Sequence, residues 1–246
     1  MPTMSVDHRF DDELRARLRR NLAAHVRRTS ALDGRRHAAV AIVVVDSDPI
    51  VHGEDPFVAP SGWLVDVPGA TDYPLTGSVA GTAGGAAVLL TRRAATLRAH
   101  AGQWALPGGR VDPGEEPLAA ARRELNEELG LTLSDDALLG ELDDYATRSG
   151  YVITPFVFWG GADPVIAADP RKVHSVHRVA LRELCRADSP RFVTIAESDR
   201  PVVQLPIGGD LIHAPTGAVL LQFRRVAIEG VDERVDHLEQ PLFAWG

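Results

Sequence analysis

Apolar and polar positions along this chain fall into blocks that read as an α/β protein. Residues 11–26 carry Leu14, Leu18, Leu22 and Val26 at four-residue steps, the stripe of an amphipathic helix. Ala38 to Val45 is an apolar run short enough to be a buried strand, and Ala86 to Leu90 is another. Residues 46–85 lie between them, rich in Gly, Pro and Asp, and are expected to form an insertion joining neighbouring strands. An insertion of this length is more often functional or mobile than idle; a lid and a dimer contact are the two roles considered. Leu118, Ala121, Leu125 and Leu129 recur at spacings of three and four, which predicts a helix with one buried stripe. Pro117 suits its first turn and Gly130 its left-handed cap. Strands near Tyr151–Trp159 and Ala218–Val226 are expected to complete a mixed sheet. The reading is an N-terminal helical extension over 1–36 and a main domain over 37–246, with no internal repeats.

Composition narrows the function classes. The apolar share of 45% suits a soluble core. The net charge of −8 argues against general nucleic-acid affinity. The first 36 residues hold nine arginines against five acids, read as a solvated helix docked on the domain. Cys185 is the single cysteine, so no intrachain disulfide is possible, as suits a reducing cytoplasm. No apolar run is long enough to span a bilayer, and the N-terminus lacks the pattern of a signal peptide. A cytoplasmic protein without membrane attachment is expected.

The chemistry concentrates between Gly109 and Leu131. Glu124, Glu127 and Glu128 stand at i, i+3 and i+4, so on a helix they share a face. Clustered carboxylates repel one another unless a cation sits among them. Mg²⁺ favours such oxygens together with substrate phosphates. Arg123 can reach Glu127 at i+4. Upstream, Gly108 and Gly109 let backbone approach a metal or phosphate closely. A solvated acidic helix face is the alternative reading of the spacing.

The segment resembles the Nudix box, Gly-x5-Glu-x7-Arg-Glu-aliphatic-x-Glu-Glu-x-Gly-aliphatic, from Gly109 through Glu115, Arg123, Glu124, Glu127 and Glu128 to Leu131. Every specified position is filled. The resemblance implies an α/β/α sandwich with a mixed sheet that hydrolyses a diphosphate bond in nucleoside diphosphate derivatives. It implies Mg²⁺ or Mn²⁺ on Glu124, Glu127 and Glu128, with the Gly108 carbonyl a further ligand. Glu124 or Glu127 would position or deprotonate the attacking water, and Gly109, Glu115 and Arg123 would support the loop. Further acids considered for the site are Asp169, Glu183 and Glu197. The stretch Lys172-Val173-His174-Ser175-Val176 lacks the glutamate that related chains often carry there.

Residues 89–109 also resemble the coenzyme A diphosphohydrolase signature, through Leu89, Leu90, Thr91, Arg93, Leu97, Arg98, His100, Gly102, Gln103 and Pro107-Gly108-Gly109. Ala94 and Leu106 depart from its usual serine and phenylalanine. The implied substrate-binding residues are Arg93, Arg98, His100 and Gln103. Guanidinium forks suit phosphate oxygens, though surface charge is the plainer role for the two arginines and a structural one for His100. Trp63 and Tyr73 would either anchor the insertion or stack on adenine. Segments 149–157 and 212–219 also resemble this branch. The implied substrate is coenzyme A or a thioester, giving adenosine 3′,5′-bisphosphate and 4′-phosphopantetheine products. ADP-ribose and NADH are the rival substrates, and a non-catalytic nucleotide sensor is the rival class. A homodimer is a further possibility.

Overall fold

The computed structural model describes residues 8–52, 84–94 and 103–245. Its centre is strand β1, Arg36–Asp46. The apolar run here faces a hydrophobic layer on each side. Ala39, Ala41, Val43 and Val45 belong to one core cluster, while Ile42 and Val44 belong to the other. Such two-sided burial is usual for a strand with a parallel neighbour in a covered sheet. That neighbour is β7, Tyr151–Gly161, paired in register from Arg36↔Tyr151 to Val44↔Trp159. On the other edge β1 pairs antiparallel with β2, Ala86–Arg93. The mixed sheet runs β3 (Trp104–Ala105), β2, β1, β7, β5 (Leu138–Glu141). Off this path, β4 (Gly108–Arg110) pairs with β1, β6 (Tyr145–Ala146) with β7, and β8 (Val173–Ala180) with β2.

Helices cover both faces. On one lies α3, Pro117–Leu129, whose Ala120, Ala121, Leu125 and Leu129 are fully buried against β1 and β7. Pro117 occupies its first turn, and Gly130 ends it at φ 67°, where its N–H reaches the Asn126 carbonyl. The other face is covered by α1, Asp12–Ala24, and α5, Thr216–Gln222. Leu14, Leu18 and Leu22 of α1 join the same core cluster as Val88, Leu90 and α5. A second, three-stranded sheet packs here, β9 (Arg191–Ile195), β10 (Ser198–Ile207) and β11 (Asp210–His213), after the short α4, Leu181–Leu184. The architecture is the expected α/β/α sandwich. No helix among the described residues is long and apolar enough to cross a membrane.

Two expectations are corrected. Val26 is not on the helical stripe: α1 stops at Ala24, His25 turns extended, and Val26 is 78% exposed. Residues 218–226 form no strand. They are α5 and a following π-helical turn, Phe223–Ile228. This helix is buried on nearly every side, so its apolar run has no face to reveal its period. Gly108 and Gly109 sit in β4, opposite Val40 and Ala39. Of the 46–85 insertion, the described part comprises the end of β1, the single helical turn α2 (Pro49–His52) and the approach to β2. Its remainder, with Trp63 and Tyr73, lies outside the described residues, as do Leu97, Arg98, His100 and Gly102.

Buried carboxylates fasten the segment that follows α1. Asp143 accepts hydrogen bonds from Arg234, Gln222 and the Arg28 N–H. Asp144 accepts from Arg27, Thr154 and the Ser30 N–H. Buried charges are tolerated when they are paired and hydrogen-bonded in this way.

Candidate active site

β4 brings the glycines against α3. A Cβ on Gly109 would lie 2.3 Å from Glu124 Oε1, and one on Gly108 would lie 2.3 Å from the Ala39 carbonyl. At Gly108, with φ 156°, glycine is therefore required by the pairing of β4 with β1, whereas at Gly109 a Cβ would push the Glu124 carboxyl aside. The Gly108 N–H donates to Glu128 Oε2 at 3.2 Å. Glu128 is the inward member of the acidic face, only 8% exposed. Burial pushes its carboxyl up to about 7, against the Gly108 N–H; Glu124 adds to the rise, and Arg93 and Lys172 oppose it.

Arg123 organises the outer side. It donates to Glu115 through Nε and Nη2, to Glu124 Oε1 at 2.8 Å, to the Arg110 carbonyl and, more distantly, to Glu127 Oε1 at 3.4 Å. The i+4 contact to Glu127 exists, but Glu115 and Glu124 are the shorter partners. Hydrogen bonding from Arg123, and then from the Asp112 N–H, holds the Glu115 carboxyl below its ordinary range. Lys172 enters from the opposite side, with Nζ 2.7 Å from Glu127 Oε2 and 3.2 Å from Glu124 Oε2. Its hydrogen bond keeps Glu127 ionised below the usual carboxylate range.

These groups border a cleft of about 690 Å³, within the range of nucleotide-sized sites. Gly108, Glu124, Glu128, Lys172, Arg93 and Gln103 line it. The Arg93 Nε is buried and has no hydrogen-bond partner among the described residues. Trp104 forms part of the wall, held by its Nε1–H to Asp210 at 2.8 Å and stacked beneath Arg92, which pairs with the same carboxylate. Tyr151 forms another part of the wall, with the Arg36 guanidinium 4.1 Å from its ring centre and Arg110 donating to its hydroxyl.

The donor set suits a hard divalent cation: three carboxylates, one of them buried, beside backbone that only glycine allows. Yet among the described residues no three His, Cys, Asp or Glu side chains converge as a ready-made metal cluster. Two cations, Arg123 and Lys172, stand between the carboxylates instead. Asp169, Glu183 and Glu197 do not line the cleft. Asp169 pairs with Arg171, which draws it down to about 2; Glu183 pairs with Arg186; Glu197 is exposed beside β10. The sequence by itself does not mark Lys172, Tyr151, Arg36 and Arg110 as site residues. Lys172 was legible as the first residue of the stretch lacking an acid, whereas the others meet only through strand pairing.

The NUDIX domain family model matches residues 77–200, half of the chain. The chain belongs to the Nudix family. Its relatives include an uncharacterized Nudix hydrolase NudL from Photorhabdus laumondii, 36% identical over 110 residues, covering 44% of this chain and 59% of that protein. NudL from Yersinia pestis, also uncharacterized, is 39% identical over 97 residues, covering 39% and 49%. The chain thus spans about half the length of the curated relatives it matches. Among solved structures, a MutT/nudix family protein from Enterococcus faecalis superposes with a TM-score of 0.49 at 14% identity, covering 81% of this chain and 64% of that one.

Proposed function

We propose that this Nudix protein hydrolyses the diphosphate bond of coenzyme A or its thioesters. The observation that carries the proposal is the cleft itself. Glu124, Glu128 and Arg93 line it together with Gly108 and Gly109 of β4, and the buried Arg93 Nε lacks a hydrogen-bond partner among the described residues. Glu124, Glu127 and Glu128 would hold Mg²⁺ or Mn²⁺ with the Gly108 carbonyl. Such an ion supplies charge neutralisation on the diphosphate and lowers the pKa of bound water.

The chain's own residues divide the remaining work. Arg93 offers donors to the diphosphate oxygens, a match of fork to anion. Glu124 or Glu127 would orient the attacking water and take its proton. Water adds to a diphosphate phosphorus, the bridging P–O bond breaks, and the departing phosphate keeps the electron pair. Arg123 and Glu115 hold Glu124 and the loop in place. Tyr151, backed by Arg36, gives the cleft a wall against which an adenine can rest. Arg98, His100 and Gln103 complete the proposed recognition of the substrate, the first two from outside the described residues.

The test is product identification by mass spectrometry with coenzyme A, ADP-ribose and NADH, each with Mg²⁺ or Mn²⁺. Adenosine 3′,5′-bisphosphate from coenzyme A, lost in Glu127→Gln with the fold intact, is the expected result. Efficient cleavage of ADP-ribose or NADH with none of coenzyme A would sink the substrate assignment and keep the enzyme class. Nucleotide binding without turnover on any of them would favour the sensing module.

A further inference from the structure

We infer that Lys172 is a resident cation of the carboxylate site, holding a place that a divalent ion would otherwise take. The inference rests on the metal reading above and adds to it a limit on how many ions the site accepts. All four oxygens of Glu124 and Glu127 are engaged by two side chains. Arg123 Nη1 takes one oxygen of each, at 2.8 and 3.4 Å, and Lys172 Nζ takes the other, at 3.2 and 2.7 Å. Glu128 and the Gly108 backbone stay open toward a metal, which gains Glu124 and Glu127 only by displacing Lys172 Nζ.

Lys172 does not reach the site by chance of a long side chain. Its carbonyl accepts from the Ala94 N–H at 3.0 Å, just past β2, and its N–H donates to the Asp169 carbonyl at 3.0 Å. The Asp169 N–H in turn donates to the Glu128 carbonyl at 3.0 Å. The loop is thereby fastened to the strand bearing Arg93 and to the last turn of α3. A backbone held at both walls aims the ammonium between the carboxylates. A fixed monovalent charge there repels an incoming ion and occupies its oxygen ligands, as Coulomb's law requires at such short range.

The experiment is Mn²⁺ titration of the full chain, followed by the electron paramagnetic resonance of free Mn²⁺ and needing no turnover. Lys172→Gln should bind Mn²⁺ at least tenfold more tightly than the natural protein. Lys172→Glu should bind one more ion per chain. Lys172→Arg, which keeps the charge, should retain the natural affinity and count. Circular dichroism of each variant fixes that the fold is kept, and the Arg and Glu variants decide the matter if the Gln variant does not fold. Equal or weaker Mn²⁺ binding on removing the charge would overturn the assignment while leaving the metal reading in place. No Mn²⁺ binding by any form would remove the metal reading, and this inference with it.

Discussion

The Arg123 guanidinium grips Glu115 through two hydrogen bonds, of 3.0 and 3.1 Å, across the turn that leads from β4 into α3. The same guanidinium binds Glu124, so loop and carboxylate face are one unit. Glu115→Gln leaves one of these contacts weakened and frees Arg123 to move toward Glu124. Partners that orient metal ligands typically matter tenfold to a hundredfold in affinity. Mn²⁺ affinity should fall by about that factor, read by calorimetric titration. An unchanged affinity would reduce Glu115 to a surface charge.

A methyl group at Gly109 is expected to push the Glu124 carboxyl aside. Its φ is ordinary, so the obstacle is contact alone: the new Cβ would meet the Glu124 carboxyl at 2.3 Å. Gly109→Ala should cost at most about 1 kcal/mol, the low end of overpacking, because the clash is with a movable carboxylate, and should displace Glu124 enough to weaken Mn²⁺ binding. Urea unfolding and metal titration test the two effects separately. A variant that binds Mn²⁺ as well as the natural protein would show that the Glu124 position is not critical.

The buried Glu128 gives a pH dependence of definite sign. Burial raises its carboxyl from 4.5 to about 7. The folded protein therefore keeps a proton that the unfolded chain releases. Stability from this group is fully present below about pH 4.5 and is lost as pH rises to about 7. In metal-free protein, Glu128→Gln should flatten the decline over that window by up to about 3 kcal/mol. Urea unfolding at steps across the window measures it. Parallel curves for the two proteins would contradict the burial of this carboxyl.

Arg92 and Asp210 form a buried pair that joins β2 to β11 and holds the indole of Trp104. Removing one partner leaves the other charge buried and uncompensated, typically a loss of about 3–5 kcal/mol. Asp210→Ala should show a loss of that size in urea unfolding, together with a red shift in tryptophan fluorescence as the Trp104 site opens. A loss below about 1 kcal/mol would mean that water reaches the pair.

The acidic face was legible in the sequence because its determinants are local. Helical spacing alone puts Glu124, Glu127 and Glu128 together, Pro117 and Gly130 mark the ends, and a filled family motif fixes the setting. The strand at Ala38–Val45 was legible for the same reason, as a short apolar run with polar flanks. By contrast, Ala218–Val226 misled the reading because an all-round buried helix carries no periodic face. Tertiary structure alone decided that Lys172 enters among the glutamates, since a loop far along the chain is fastened there by bonds to β2 and α3. It also decided that Arg36, Arg110 and Tyr151 share one wall, through the pairing of β1 with β4 and β7. Local spacing specifies which groups a helix presents; only the packing of distant segments specifies which charges they meet.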